Sequence, residues 1–150
     1  GYKGCEIAYN DCEDWLEELL PILDHNRRVV EDFMAEHFPQ IKVMRLEGTY
    51  LQWLDCRGLG LTYKELEAFM TQEAFIFTDE GYVFGEPGEC FERINLACPT
   101  HVLETALKRM DEAWKKHNKQ TRQTPLPTLS KYINTEPAGK YFPLLPVLHL

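Results

Sequence analysis

The chain has 150 residues, of which 44% are hydrophobic and 27% are charged, so it can bury one ordinary core. Its formal net charge of −8 argues against nucleic-acid and membrane-surface partners, because both bind through clustered lysine and arginine. No apolar run is long enough to cross a bilayer and no secretion segment is recognised, so we expect no membrane partner and a cytoplasmic location.

A long helix is predicted from Asp11 to about His37. Asp11 is the candidate N-cap, and apolar residues recur after it at helical spacing. Pro21 lacks the amide hydrogen that a helix interior requires, so we expect a kink or two successive helices that meet near Leu20.

Short β-branched or aromatic runs predict the strands. Residues 41–44 and 50–55 indicate two strands, or one bulged strand at a bend. Residues 74–78 indicate a brief strand and residues 91–97 a longer one, preceded by a glycine-rich turn.

Two more helices are predicted beside these strands. Thr62 and Glu65 have the spacing of a capping box, which begins a helix that ends near residue 72. Pro99 suits the first turn of a final helix with a regular apolar stripe. Trp53 and Trp114 are expected to lie in the core. Together these elements predict a small α/β (α+β) fold.

The end of the chain has a different character. From Thr121 onward prolines and threonines interrupt short apolar runs without periodicity, so residues 121–150 are predicted to be a poorly structured tail of unknown role. The five cysteines include no C-x-x-C pair and have no zinc-site spacing, which favours reduced thiols and no metal site.

Four segments in the same chain order resemble one enzyme family. Residues 47–57, EGTYLQWLDCR, resemble the G-T-Y-L-x-W-L-D-x-R segment of C-S lyases related to cystathionine β-lyase, within the class I and II aminotransferases. Residues 81–85 resemble the family's G-x-x-F-G loop, and residues 88–99 resemble its G-x-x-F-x-R-x-N-x-A-x-P strand. The helix around residues 14–20 resembles the family's connecting helix. The resemblance covers roughly residues 5–117.

The resemblance implies a fold and a function. The fold is the small C-terminal domain of fold-type I transferases that depend on pyridoxal 5′-phosphate (PLP), with a short sheet packed by helices. Residues 1–37 would be the connecting helix from a large domain, and residues 38–120 the small domain. The parent enzyme would be a homodimeric C-S β-lyase that eliminates a thiol from an amino-acid substrate such as cystathionine or cysteine, with PLP as electron sink.

The resemblance also implies which residues bind the substrate. Arg93 would bind the substrate α-carboxylate, and a planar guanidinium matches that group with paired donors. Tyr50 corresponds to a position near the substrate entrance, although packing is an equal alternative. Asn95 lies on the same strand face as Arg93 and would support it, with a structural hydrogen bond as the alternative.

No catalytic or cofactor-binding residue is assigned in this chain, because the family's Schiff-base lysine and phosphate-binding groups belong to the large domain. Lys131 ends a segment similar to S-x-x-K, but it follows Arg93 in chain order and is treated as coincidence. The chain alone is therefore expected to be inactive. The alternatives are an aminotransferase of class I or II and, outside enzymes, an incompetent fragment or a binding module.

Overall fold

The computed structural model describes residues 1–123, and the side chains of residues 1–119 among them. It begins with two helices, α1 at Tyr2–Asp11 and α2 at Glu13–His37. Cys12 separates them because its backbone, at φ −119° and ψ 24°, leaves the helical range. The predicted N-cap at Asp11 and the predicted junction near Leu20 are therefore wrong, whereas the predicted end near residue 37 is confirmed.

Pro21 lies inside α2 without ending it. Pro21 is exposed to solvent. The backbone carbonyl one turn earlier, which has no amide hydrogen from Pro21 to accept, can therefore bind water instead. Glu13 and Asp14 occupy the first turn of α2, where negative charge is favourable to the helix dipole. These local preferences explain why the 25-residue helix restarts after Cys12 and runs through the proline.

Four short antiparallel strands form one sheet in the order β1-β2-β4-β3. The strands are β1 at Lys42–Val43, β2 at Leu51–Asp55, β3 at Asp79–Glu80 and β4 at Phe91–Asn95. The two strands predicted within residues 41–55 and the long strand predicted from residue 91 are confirmed.

Residues 74–78 do not form the predicted strand. The amides of Ala74 and Ile76 donate to the carbonyls of Phe69 and Met70 in the preceding turn, and Phe75 has a positive φ of 53°. The backbone is therefore occupied by local bonds and cannot join a ladder. The chain becomes extended only at β3.

The predicted capping box begins α3, Tyr63–Ala68. The Thr62 hydroxyl accepts from the amide of Glu65, and the Glu65 carboxylate accepts from the amide of Thr62. A π-helical turn at Phe69–Glu73 continues the helix and buries its two apolar residues. The expected end of this helical segment near residue 72 is confirmed.

The last described element is α4, Thr100–Gln123, which follows Pro99 as predicted. Its final three residues fall within the segment that was predicted as a tail. The rest of that segment, including Lys131, lies outside the described residues.

One hydrophobic core fills the space between the sheet and helices α2, α3 and α4. Each large apolar side chain buried there contributes about 1.5–3 kcal/mol to the free energy of unfolding. The largest buried apolar residues are Phe38, Phe69, Met34, Leu54, Leu66, Leu96, Leu107 and Met110.

The two tryptophans differ in their relation to this core. Trp114 packs against it, as predicted. Trp53 lies on the opposite face of the sheet, because its neighbours Gln52 and Leu54 take the inward positions of β2. The expectation that Trp53 belongs to the core is wrong. No helix within residues 1–123 is long and apolar enough to span a bilayer.

Candidate functional site

Arg93 lies at the centre of the sheet face that points away from the core. It is the third residue of β4, and it is directly opposite Trp53 on β2 and Asp79 on β3. Its neighbours in β4, Glu92 and Ile94, point to the core. The three side chains of this cross-strand row therefore share the outer face.

The guanidinium of Arg93 is held by one carboxylate and two aromatic rings. Asp79 Oδ2 accepts from Nε at 3.1 Å and from Nη2 at 2.8 Å. The guanidinium carbon lies 4.5 Å from the ring centroid of Phe84 and 5.6 Å from that of Trp53. The side chain is only 23% exposed, although it stands on the outer face. Arg93 is thus ordered by direct contacts before any ligand binds.

Phe84 reaches Arg93 because the loop of residues 81–88 closes on itself. Two 3₁₀ turns, Gly81–Phe84 and Glu86–Gly88, fold the loop over the outer face. A Cβ atom added to Gly81 would lie 2.1 Å from the carbonyl oxygen of Gly88, and one added to Gly88 would lie 2.1 Å from that of Gly81. Only glycine permits this backbone approach, so the predicted glycine-rich turn also positions an aromatic ring of the site.

An apolar hollow of about 460 Å³ opens beside the two rings that contact Arg93. The Trp53 and Phe84 rings are nearly perpendicular, at 80°, with 5.4 Å between their centroids. Arg93 itself does not line the hollow, but two of the lining rings, Trp53 and Phe84, contact its guanidinium. The hollow is lined by Met44, Arg45, Trp53, Phe84, Pro87, Gly88 and Phe91.

The other two predicted substrate-binding residues are not hydrogen-bonded to the Arg93 guanidinium in the described part of the chain. Tyr50 precedes β2, and its side chain is exposed while its carbonyl accepts from the amide of Leu96. Asn95 shares the outer face with Arg93, but its Oδ1 accepts from the amide of Ala97 at 2.8 Å. Within the described residues, the hydrogen-bonding partner of Arg93 is Asp79.

The inner face of β4 carries a buried carboxyl group that the sequence analysis missed. Glu92 is 1% exposed, and burial raises its pKa to about 7 although the Thr78 hydroxyl donates to it at 2.5 Å. Alternation along β4 gives the available signal, because an outward Arg93 requires an inward Glu92. Glu92 faces the core and is not part of the Arg93 site.

Asn26 on α2 is a second buried polar residue, and it lies on the helix face that packs on the core. Its Nδ2 donates to the carbonyls of Leu96 and Cys98, both at 2.9 Å, and its Oδ1 accepts from the Thr100 hydroxyl at 2.8 Å. These bonds join α2 to the segment between β4 and α4. A buried asparagine with satisfied donors and acceptor is a structural tie.

Three cysteine thiols of the described residues are not activated as nucleophiles, and these residues form no metal cluster. Burial raises the pKa of the Cys56, Cys90 and Cys98 thiols above the ordinary value, which disfavours the reactive thiolate. Within residues 1–123, no group of three or more histidine, cysteine or acidic side chains could hold a metal ion.

The lysines of the described residues do not form a Schiff-base site. All seven have exposed side chains, whereas an amine activated for covalent chemistry requires desolvation or a neighbouring cation. Residues 1–119 thus present one ordered arginine on the outer face of the sheet, and each of their lysines is exposed to solvent. The seven lysines are Lys3, Lys42, Lys64, Lys108, Lys115, Lys116 and Lys119.

Comparison with known proteins relates this arrangement to PLP enzymes, although no protein-family model matches the sequence. The chain is 32% identical over 108 residues to cystathionine beta-lyase PatB of Bacillus subtilis (strain 168), covering 72% of this chain and 28% of PatB. Its fold is similar to that of cystalysin from Treponema denticola, whose crystal structure contains pyridoxal 5′-phosphate. That match has a TM-score of 0.74 and 47% identity, over 77% of this chain and 29% of cystalysin.

Aminotransferases are also similar. The aromatic aminotransferase from Pyrococcus horikoshii OT3 matches with a TM-score of 0.65 and 28% identity, over 70% of this chain and 28% of that enzyme. The chain spans less than a third of the length of each of these three proteins. The similarity therefore concerns one domain of much longer enzymes.

Proposed function

Since the chain belongs to the family of fold-type I PLP-dependent C-S lyases and aminotransferases, as a small C-terminal domain, we propose that its parent protein is a C-S β-lyase. The substrate would be an amino acid with a sulfur on its β-carbon, such as cystathionine or cysteine. Residues 1–37 connect to the large domain, residues 38–120 are the small domain, and the parent is a cytoplasmic homodimer.

The observation that carries the proposal is the order imposed on Arg93. A guanidinium cannot lose its charge in proteins and binds carboxylate through paired donors. Here it is fixed by Asp79 and Phe84 on the face that carries the hollow. A substrate anchored at this point is held in one orientation, which is what selective cleavage at its β-carbon requires.

PLP would supply the electron sink for the elimination and would be held by the large domain. The role of this chain is to bind and orient the substrate. In this proposal Tyr50 lies near the substrate entrance and Asn95 supports Arg93. The exposure of the seven lysines within residues 1–119 supports the further proposal that the 150 residues alone are inactive.

The decisive experiment assays the complete product of the natural gene with L-cystathionine and compares Arg93→Lys with wild type. We expect Arg93→Lys to raise KM about tenfold or more, because an ammonium keeps the charge and loses the fork of donors. Arg57→Lys is the matched control. Arg57 also lies over a ring, at 5.0 Å from the Phe91 centroid, and also binds a carboxylate, that of Asp55. An equal effect of both substitutions would contradict the proposal.

Transamination is the rival reaction, because it uses the same carboxylate anchor, and aminotransferases are among the similar structures. Elimination releases pyruvate, ammonia and a thiol from L-cystathionine, whereas transamination requires a keto-acid acceptor and leaves the sulfur bonded. Release of pyruvate without an added keto acid would identify the lyase. Turnover only with a keto acid would identify the aminotransferase.

A test of the non-enzyme alternative uses the 150-residue chain itself. We expect borohydride reduction in the presence of PLP to label no single lysine stoichiometrically. Specific labelling of Lys131, located by mass spectrometry, would contradict the proposed inactivity of the isolated chain.

A further inference from the structure

We propose that Asp79 is a positioning residue: it binds the Nε edge of the Arg93 guanidinium, so that the terminal edge formed by Nη1 and Nη2 is presented to the substrate carboxylate. The inference rests on the proposed function, in which Arg93 is the carboxylate anchor. It adds a residue outside the segments that carry the family resemblance, and it specifies which donors of Arg93 serve the substrate.

The hydrogen bonds divide the donors of Arg93 into two sets. A guanidinium has five N–H groups. Asp79 uses one oxygen, Oδ2, to accept from Nε and from one hydrogen of Nη2. The two hydrogens of Nη1 and the second hydrogen of Nη2 remain, and within residues 1–123 Nη1 donates to no other group. These remaining hydrogens form the terminal fork that binds a carboxylate bidentately.

The aromatic contacts restrict the same guanidinium further. Phe84 and Trp53 lie 4.5 Å and 5.6 Å from its carbon. With the rings in contact and the Nε edge bonded, the side chain retains little rotational freedom. Order established before binding reduces the entropy that a ligand must overcome, so the fork binds carboxylate more tightly than a free arginine would.

Strand register makes the grip part of the fold. Asp79 is directly opposite Arg93 in the β3–β4 pair, and such cross-strand neighbours have Cβ atoms roughly 4.5–5.5 Å apart. β3 has only two residues, so the pair of Asp79 and Arg93 is one of the two residue pairs that join β3 to β4. The carboxylate is therefore placed by the backbone and does not depend on a flexible loop.

The negative charge of Asp79 opposes the binding of a second carboxylate, so the two effects must be weighed. Asp79 is 53% exposed, and an ion pair open to water is worth only about 0–1 kcal/mol. Screening weakens the repulsion between Asp79 and the ligand in the same way. Because Asp79 occupies the Nε edge and leaves the terminal fork, orientation outweighs repulsion.

The test uses the 150-residue chain and the ¹H–¹⁵N signal of the Arg93 Nε–H group. The probe is sodium acetate, titrated against sodium chloride at constant ionic strength. For wild type we expect a saturable shift with acetate and none with chloride. For Asp79→Ala we expect the acetate affinity to fall about fivefold, and for Asp79→Asn to recover part of it, because the amide oxygen still accepts from Nε.

The matched control is Asp24→Ala. Asp24 grips Arg27 in the same way, with one oxygen accepting from Nε at 3.0 Å and from Nη2 at 2.8 Å, but on α2. This variant should leave the Arg93 titration unchanged. A dispersed amide spectrum of each variant establishes that the variant is folded. If Asp79→Ala is not folded, the acetate affinity of Asp79→Asn is compared with that of wild type instead.

The outcomes separate the two proposals. If wild type responds to acetate and Asp79→Ala binds it equally or more tightly, Asp79 is a bystander or a competitor and the inference is overturned alone. Failure of Asp79→Asn to bind better than Asp79→Ala also overturns it. If Arg93 of the wild type does not distinguish acetate from chloride, the proposed anchor fails and the inference falls with it.

Discussion

The guanidinium carbon of Arg93 lies 4.5 Å from the centroid of the Phe84 ring. A cation–π contact at a partly exposed site contributes about 0.5–1 kcal/mol. Phe84→Leu keeps the apolar bulk and removes the ring, so we expect it to weaken acetate binding at Arg93 about two- to fivefold in the NMR titration. Val83→Ala, an exposed neighbour in the same loop, is the control. Equal affinities in the two variants would mean that the ring contributes nothing to the anchor.

A methyl group at Gly88 should displace the loop that holds Phe84. The added Cβ would lie 2.1 Å from the Gly81 carbonyl oxygen, so the backbone must move. We expect Gly88→Ala to lower the free energy of unfolding by about 1–3 kcal/mol and to shift the Arg93 Nε–H signal. Gly48→Ala is the control, because a Cβ there meets no atom within 4 Å. Urea unfolding measures the free energy of unfolding of each variant, and a ¹H–¹⁵N spectrum measures the position of the Arg93 Nε–H signal. The same values for Gly88→Ala and Gly48→Ala would contradict the prediction.

Removal of the Asn26 side chain should destabilise the domain without touching the site. Asn26→Ala leaves the buried carbonyl of Leu96, the part-buried carbonyl of Cys98 and the Thr100 hydroxyl without this partner. At about 1 kcal/mol or more for each unsatisfied group, we expect a loss of about 3 kcal/mol in urea unfolding. Asn10→Ala, at an exposed position of α1, should change stability by less than about 0.5 kcal/mol. A loss as small for Asn26→Ala would contradict its role as a tie.

Glu92 should make the domain less stable as the pH rises. Its pKa is about 7 in the folded protein, against an ordinary value of 4.5, because burial disfavours the charged carboxylate. The folded state thus holds the proton more tightly than the unfolded chain. Its stabilising effect is complete below about pH 4.5 and is lost as the pH rises through 7, a change of about 3 kcal/mol.

The check is urea unfolding of wild type and Glu92→Gln between pH 5 and 8. Glutamine stays neutral and can still accept from the Thr78 hydroxyl, so we expect the variant to lose this slope and to exceed wild type in stability at pH 8. Glu89→Gln, an exposed position on the same chain segment, should keep the slope. Parallel pH profiles for wild type and Glu92→Gln would show that Glu92 does not titrate in this range.

The sequence predicted the elements with strong local signals. The capping box at Thr62 and Glu65, the final helix after Pro99 and the paired strands around residues 51–55 and 91–95 were all expected. In each case the determining interaction lies within a few residues or repeats along an apolar face. Arg93 was identified through the motif around it, since a lone arginine on a strand has no functional signature.

Features that depend on distant partners were not predicted. Asp79 pairs with Arg93 across 14 residues, and β3 is only two residues long, so no periodicity marks it. The error at residues 74–78 has a local origin, because the preceding π-helical turn accepts from the amides of Ala74 and Ile76, and the composition of the segment does not reveal this. Trp53 points outward because Gln52 and Leu54 on either side of it point to the core. The residue types of this segment alone do not reveal which set of alternating positions faces the core.

The alternation of Glu92 and Arg93 along β4 also protects the domain against misregistration. If β4 slipped by one residue against β2, the guanidinium would enter the core and the carboxyl group would leave it. A buried cation without a partner costs far more than a neutral carboxylic acid, so the slipped pairing would be rejected during folding. Arg93, which would bind the substrate, therefore also disfavours a wrong register of β4. A variant with an apolar residue at position 93 would lose both the binding of the carboxylate and this protection against misregistration.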